Sequence, residues 1–384
     1  MGTRVQLAAP AAWFGGVALA ILVPAAFVVT ASRTDALSSA TVPLGAPVVS
    51  CDGVPLPTLG GLFGQVVSVN QRGLAVGTAT DRTGASFAVL WRSGRVQQLS
   101  TGTAGSVAVG VNGRGDVVGT GRSAAGPVGW VWSQGVTVRL AADPDEVADP
   151  AAINDRGVVV GALAPGHDES GGSEHAPGHH ENGGSEDAPG DHENEQAVVW
   201  PSASARPAVL PPLPGDEGGR ALAVDNSGRI GGFSAGARFR PVVWDAGRAP
   251  RALADLGGGY AAVRALTDSG LAVGDAVSAD GIDHPVVWDR SGRITRLDLP
   301  AGARSGQALA MLPDGTVVGT ADVPLAAGGV RSQAVRWARG ATALLSTADG
   351  RAGSVVGAAD GTTYAGYLAD PVGGRHPVLL RCGR

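Results

Sequence analysis

VNQRGLAVG at residues 69–77 is the first of seven stretches that share a polar turn, an apolar strand and a final glycine. The other six are VNGRGDVVG (111–119), INDRGVVVG (153–161), VDNSGRIGG (224–232), LTDSGLAVG (266–274), LPDGTVVG (312–319) and AADGTTYAG (358–366). Asn or Asp opens a tight turn by bonding its side chain to the backbone ahead, and the turn glycine takes the positive φ of a bulged hairpin. The final glycine lies inside a strand, which indicates that a backbone or a large ring approaches it closely. We expect that ring to be the tryptophan of the next strand.

The turn glycines recur at intervals close to 42 residues. Successive intervals are 42, 42, 71, 42, 45 and 46 residues, and the interval of 71 contains an insertion of 29 residues. Each repeat continues with a second apolar run: FAVLW (87–91), GWVW (129–132), AVVW (197–200), PVVW (241–244), PVVW (285–288), AVRW (334–337) and PVLL (377–380). A polar turn and a last short strand follow, and in six repeats that strand ends in leucine: Leu99, Leu140, Leu210, Leu253, Leu297 and Leu345. Four strands in each repeat make one blade, so the sequence predicts an all-β, seven-bladed β-propeller over residues 41–384.

The seventh repeat has no fourth strand of its own, because the chain stops soon after its third. The stretch CDGVPLPTL (51–59) is available to fill that place, with residues 54–59 completing the blade that begins near residue 355. Cys51 and Cys382 then fall in the same turn of one blade, reached from opposite ends of the chain. Two cysteines in an exported protein favour a disulfide, and this register predicts the bond Cys51–Cys382.

Composition supports a β protein with a large core. The 384 residues are 44% hydrophobic and include 61 glycines and 25 prolines, which disfavour long helices. The net charge is −5, and all 29 basic residues are scattered arginines, so we expect no nucleic-acid partner. We expect a monomer.

Residues 1–40 form a separate segment. Arg4 precedes the apolar run 11–31, which is the layout of an export signal with cleavage after Ala31 or Ala40. The same run is long enough for an uncleaved membrane anchor. Both alternatives place the body outside the cell, either secreted or held at the cell surface, because the positive start favours the cytoplasmic side.

The repeats also resemble a known family. AINDRGVVVG (152–161), the tryptophan-ended third strands and the connectors TLGG (58–61) and DLGGG (255–259) are similar to the HAF-repeat family, over about residues 47–382. The chain departs from the eponymous His-Ala-Phe, with Ser86-Phe87-Ala88 in the first repeat. The resemblance implies an extracellular, propeller-like protein. The family has no established activity and so supplies no site residues.

The stretch 166–195, which contains the insertion, repeats a 12-residue unit and holds nine acidic residues. Its composition predicts a disordered, solvated loop between the second and third strands of its blade, on the side of the blade-to-blade connectors. It also holds five of the seven histidines: His167, His175, His179, His180 and His192. The functional alternative is a weak Zn²⁺, Ni²⁺ or Cu²⁺ site formed by these imidazoles.

No repeat carries a distinctive set of acids, bases or nucleophiles. Asp268-Ser269-Gly270 matches a short protease signature but lies in the register of the repeated hairpin turn. We therefore expect no catalytic or cofactor-binding residues, and an exported binding or scaffold module for an extracellular protein or glycan. The alternative is a hydrolase or lyase acting on an extracellular glycan, lactone or peptide. A third reading is a purely structural cell-surface protein.

Overall fold

The computed structural model describes residues 47–124, 126–166, 195–245, 247–324, 330–348, 350–351, 353–370 and 374–383. The predicted export segment, residues 1–40, lies outside these ranges. Every regular element among them is a β-strand. In this part of the chain no helix is long and apolar enough to cross a membrane.

The chain enters through a single strand and then forms four-stranded units in order. The entering strand is β1 (Val48–Pro55). Blade 1 is β2 (Gly60–Val69), β3 (Ala75–Asp81), β4 (Ser86–Arg92) and β5 (Arg95–Gln98). Blade 2 is β6 (Ala104–Val111), β7 (Val117–Ser123), β8 (Gly126–Ser133) and β9 (Val136–Arg139). Blade 3 is β10 (Glu146–Ile153), β11 (Val159–Pro165), β12 (Gln196–Trp200) and β13 (Ala208–Val209).

The second half of the chain repeats this arrangement. Blade 4 is β14 (Gly218–Val224), β15 (Ile230–Ala235), β16 (Phe239–Trp244) and β17 (Pro250–Ala252). Blade 5 is β18 (Gly257–Leu266), β19 (Ala272–Ser278), β20 (Asp283–Trp288) and β21 (Ile294–Arg296). Blade 6 is β22 (Ser305–Met311), β23 (Val317–Pro324), β24 (Val330–Ala338) and β25 (Ala341–Thr347). Blade 7 is β26 (Gly353–Ala358), β27 (Thr363–Ala369) and β28 (Arg375–Cys382), with β1 as its fourth strand.

The blades close into a ring. Each first strand contacts the first strands of both neighbouring blades, including β26 against β2 across the closure. Hydrophobic clusters fill the spaces between successive sheets, and the tryptophans at the ends of the third strands lie in them fully or almost fully buried. The predicted seven-bladed β-propeller is confirmed.

Every blade has a β-bulge in its first strand, opposite the glycine that ends the repeated motif. At blade 6 the register shifts between Ala308 and Ala310, and a Cβ on Gly319 would lie closer than 3.0 Å to the Gln307 carbonyl oxygen. The same carbonyl contact recurs at all seven glycines. The nearest atoms to such a Cβ are therefore those of the facing backbone, which is the first of the two alternatives for these glycines. At Gly119 a ring, that of Trp130, is also among the nearest neighbours.

The turn glycines behave as predicted in six blades. Gly73, Gly115, Gly157, Gly228, Gly270 and Gly315 have positive φ. Gly361 in blade 7 does not. There the Asp360 carboxylate accepts hydrogen bonds from the backbone N–H groups of Thr362 and Thr363, at 2.8 and 2.7 Å, which gives this turn a different geometry.

The third-strand tryptophans connect neighbouring blades by hydrogen bonds. The indole N–H of Trp288 donates to the carbonyl of Ala254, the residue after the leucine that ends blade 4, at 2.7 Å. Trp91, Trp200, Trp244 and Trp337 make the equivalent bond to the preceding blade. Buried indole N–H groups need such partners, so these tryptophans are explained by the architecture alone.

Side chains of the repeated hairpin turns form a ladder of hydrogen bonds between neighbouring blades. Asn70 Nδ2 donates to the Asn112 carbonyl at 2.7 Å, Asn112 to Asn154 at 2.9 Å, and Asn154 to Asp225 at 2.9 Å. The first residue of the repeated turn thus has a second role that its local turn chemistry did not reveal. It ties blades 1 to 4 together.

The ring is closed by β1, as predicted, but with a different register. Residues Cys51–Pro55 pair antiparallel with β28, and Val48–Cys51 also pair in parallel with β25 of blade 6. The predicted range 54–59 is therefore too late in the chain: Thr58 and Leu59 already belong to the connector. Cys51 and Cys382 lie directly opposite each other within the two strands, not in a turn, and form the predicted disulfide with Cα atoms 4.1 Å apart.

Candidate functional site

The two sides of the ring differ in what they carry. Because successive strands are antiparallel, the connectors between blades and the loops between second and third strands lie on one side, here the connector face. The repeated hairpin turns lie on the other side, here the turn face. The contacts described so far account for the repeated residues, so a site for a ligand or partner is expected where the blades differ from one another.

Such a position exists on the connector face, at the seam between neighbouring blades. Two elements form it. One is the start of the third strand of a blade. The other is a residue in the first strand of the next blade, namely the residue whose carbonyl oxygen lies against the repeated glycine. Three seams join these positions by side-chain hydrogen bonds: Glu195 with Arg220, Asp283 with Gln307, and Arg375 with Gln65. The chemistry of the pair is different in each case.

The seam between blades 3 and 4 contains a buried ion cluster. Arg220 is only 3% exposed and donates to Asp149 at 2.5 Å and to both carboxylate oxygens of Glu195 at 3.2 Å. Burial alone would lower the pKa of Arg220, but the charges of Asp149 and Glu195 raise it overall. The charged side chains of Arg220, Asp149 and Glu195 therefore fill this seam.

The seam between blades 7 and 1 presents aromatic and basic groups. Arg375 donates to Gln65 at 2.7 Å and lies over the Tyr367 ring, 5.0 Å from its centroid. Phe63 lies beside His376, with ring centroids 6.0 Å apart. Phe63 projects from a three-residue bulge that leaves its neighbour Leu62 75% exposed on the connector face.

The seam between blades 5 and 6 is open and contains a cavity of about 470 Å³. Gln307 Nε2 donates to Asp283 Oδ2 at 3.3 Å on its wall. The other oxygen, Asp283 Oδ1, is fully buried and has no hydrogen-bond partner. Asp322 accepts from the Ser305 hydroxyl at 2.8 Å, and both of these residues also line the cavity.

Charges behind the cavity wall act on Asp283. Asp275 is fully buried and is paired with Arg264 at 2.7 Å, and Arg264 also donates to the Tyr260 hydroxyl at 2.8 Å. Burial raises the pKa of Asp283 to about 8, and the negative charges of Asp275 and Asp322 contribute in the same direction. The hydrogen bond from Gln307 and the charge of Arg264 only partly oppose this rise. At neutral pH the Asp283 carboxyl therefore carries a proton.

The histidines predicted as metal ligands, His167, His175, His179, His180 and His192, lie outside the described residues. Both ends of the insertion are described. The Gly166 N–H donates to the Asp145 carbonyl at 2.7 Å, and Glu195 binds Arg220, so the predicted range 166–195 includes two residues that bond to the body. Both contacts lie on the connector face, where we expected the insertion to emerge. Among the described residues, no group of three or more His, Cys, Asp or Glu side chains is placed to hold a metal ion.

Sequence reasoning missed the cavity between blades 5 and 6. Asp283, Gln307 and Asp322 are far apart in the sequence, and each alone resembles an ordinary polar residue at a strand end. One signal was present: when the repeats are superimposed, the first residues of the third strands differ in charge, with Glu195, Asp283 and Arg375 at corresponding places. A search for the most variable column of the repeat would have found them.

No protein-family model matches the chain, and no curated protein matches it. Several solved structures are similar to it in fold. YCF48 bound to D1 peptide is 12% identical and superimposes over 90% of this chain and 99% of its own, with a TM-score of 0.48. TolB from Acinetobacter baumannii is 11% identical, with a TM-score of 0.44, over 83% of this chain and 63% of its own; the chain thus spans less than two thirds of TolB. A putative gluconolactonase is 12% identical over 88% and 94%, with a TM-score of 0.37. At these identities the likeness is one of fold alone.

Proposed function

We propose that this protein is an exported, monomeric, non-enzymatic binding module that holds a protein or glycan partner on its connector face. The observation that carries the proposal is the contrast between framework and seams. The bulges, glycines and third-strand tryptophans recur around the ring, the asparagine ladder joins blades 1 to 4, and all of these groups contact one another within the framework. The seam residues on the connector face differ from blade to blade, and one seam leaves an open, polar cavity.

Export is supported by two features of the chain. The apolar run 11–31 after Arg4 has the layout of a signal or anchor segment. Both cysteines are joined in a disulfide, and such bonds persist mainly in oxidising compartments. The resemblance to the HAF-repeat family is in keeping with a location outside the cell.

The test is capture of a partner from the surface of the producing cells, with matched variants of the two faces. Leu62→Glu alters a side chain that is 75% exposed on the connector face, and Val136→Glu alters one that is 65% exposed beside a hairpin on the turn face. We expect the wild type and Val136→Glu to retain the same protein or glycan, and Leu62→Glu to lose it. A partner lost only with Val136→Glu would place recognition on the wrong face, and no reproducible partner would contradict a binding role.

A second candidate function is hydrolysis of an extracellular glycan. It is favoured by one observation, the presence of the Asp283 and Asp322 carboxyl groups on the wall of a single cavity. Because burial raises the pKa of Asp283 to about 8, this carboxyl suits a general acid at neutral pH, and Asp322 provides the second carboxyl that glycoside hydrolysis uses. Release of reducing ends from a polysaccharide panel, abolished in Asp283→Asn and in Asp322→Asn, would establish this activity. No release by the wild type would leave the binding role.

A further inference from the structure

The cavity between blades 5 and 6 has two chemically different parts. Its entrance carries two exposed aliphatic side chains, Ile282 and Val330, which are 37% and 48% exposed. Its wall carries the carboxyl groups of Asp283 and Asp322 with the amide of Gln307. A ligand that fits both parts has an apolar stem and a polar end.

The charge balance of the wall shows which polar end it favours. The charges that act on Asp283 are the negative ones of Asp275 and Asp322 and the positive one of Arg264, so negative charge is in excess when all of these groups are ionised. Arg304 also lines the cavity. Arg264 is already bonded to Asp275 and Tyr260. Asp283 receives only the amide of Gln307, and its Oδ1 is buried without a partner. A buried carboxylate in this position is stabilised by an added cation.

We propose that this cavity binds a primary ammonium group on an aliphatic stem, namely the side chain of a lysine of a protein partner. Ile282 and Val330 cover the methylene groups, in the way that lysine stems lie along apolar surfaces elsewhere. The ammonium is held at the wall by the carboxylate of Asp283, with Asp322 adding to the negative potential. The assignment rests on the proposed function, since it requires the connector face to be the recognition surface.

When lysine binds, the site releases the proton of the Asp283 carboxyl and gains the positive charge of the lysine ammonium. Since the pKa of Asp283 is raised to about 8, its carboxyl is protonated at pH 7 and must release that proton to pair with the ammonium. A lysine ammonium, with an ordinary pKa of about 10.4, stays charged over this range. The affinity for lysine therefore rises by roughly tenfold per pH unit below pH 8 and levels off above it.

The experiment is calorimetric titration of the full propeller with capped acetyl-Gly-Lys-Gly-amide between pH 6 and 9. The matched ligand is the same peptide with Nε-acetyl-lysine, which keeps the stem and removes the charge. We expect at least tenfold weaker binding of the acetylated peptide at pH 8. Asp283→Asn should bind the lysine peptide at least tenfold more weakly than wild type at pH 8 and show no dependence on pH. Asp280→Asn changes an exposed carboxylate in the adjacent loop and should behave as wild type.

Several outcomes overturn the assignment. Equal affinity for the two peptides, or an affinity for the lysine peptide that does not change between pH 6 and 8, removes the ammonium from the site. Binding of free cadaverine without binding of the peptide assigns the cavity to small diamines and not to a protein. Loss of partner capture in Leu62→Glu together with any of these results leaves the proposed function standing. Capture that maps to the turn face overturns the proposed function and, with it, the assignment of this cavity to a lysine of a protein partner; binding of the lysine peptide would then show only that the cavity accepts an ammonium group.

Discussion

At the scale of single residues, the repeated glycines are fixed by backbone contact and not by local conformation. A Cβ on Gly319 would collide with the Gln307 carbonyl oxygen in the bulge opposite, and neither backbone can move without breaking the strand pairing. We expect Gly319→Ala to lower the free energy of unfolding by about 1–3 kcal/mol, the usual effect of overpacking. Gly247→Ala is the matched control, because nothing lies within 4 Å of its added Cβ, and it should be neutral or slightly stabilising. Urea unfolding of both variants measures the difference; equal losses would contradict the contact.

The buried carboxyl of Asp283 makes the stability of the protein depend on pH. The pKa of Asp283 is about 8 in the folded protein, against about 3.9 for an unfolded aspartate. Between these values the folded state binds more protons than the unfolded state, so this carboxyl makes stability fall as pH rises from about 4 to 8. The slope is at most roughly 1.4 kcal/mol per pH unit. Urea unfolding at pH 5 to 9 should show a shallower decline for Asp283→Asn than for wild type, and parallel curves would contradict the raised pKa.

At the scale of elements, the seam between blades 3 and 4 depends on one buried cation. Arg220→Met would leave Asp149 and Glu195 without their partner in a largely buried site, and such losses cost about 3–5 kcal/mol. Arg293→Met is the control: its side chain is 82% exposed and pairs only with Asp289, so the loss should be below about 1 kcal/mol. Urea unfolding of both variants measures the loss in the free energy of unfolding that each substitution causes. Similar values for the two variants would mean that the buried cluster contributes no more than a surface pair.

The ion cluster also sets limits on how the insertion can be removed. Glu195 follows the last histidine unit and looks like part of the acidic repeat, yet its carboxylate holds Arg220 and its carbonyl accepts from the Gly219 N–H at 2.9 Å. A shortened loop that leaves the fold intact must therefore keep Gly166 and Glu195 and join them directly or by a short linker.

The strands of a blade could be predicted from the sequence, because each repeat contains them. Features that arise where two strands or two blades meet could not. The turn motif, the tryptophan and the final leucine recur at a fixed spacing, so strand order and blade number followed from counting. The bulges that explain Gly319 and its equivalents arise from the pairing of two strands and leave no mark on a single repeat. Asp283 acquires its raised pKa from burial and from charges on other strands, none of which its own surroundings in the sequence indicate.

At the scale of the whole molecule, the ring depends on β1, a strand that reaches blade 7 from the opposite end of the chain. Its hydrogen bonds to β28 and β25 join residues separated by most of the sequence, and the disulfide Cys51–Cys382 spans 331 residues. Cross-linking so large a loop removes roughly 5–6 kcal/mol of unfolded-chain entropy in the ideal case, and about 2–4 kcal/mol is more usual. A typical net stability is about 5–15 kcal/mol, so the bond is a substantial part of what keeps the ring closed.

Breaking the disulfide should weaken this closure. Full reduction should lower the melting temperature of the wild type, because β1 then remains attached by hydrogen bonds and packing alone. Cys51→Ser should melt at the temperature of the reduced wild type, and a reducing agent should not change it further. Cys382→Ser is the reciprocal control and should match Cys51→Ser, since each variant removes the same bond and leaves one thiol in the same pair of strands. Thermal unfolding by circular dichroism, with thiol titration to verify reduction, measures all three proteins. A wild type whose melting temperature is unchanged after complete reduction would show that the hydrogen bonds of β1 close the ring without the covalent bond.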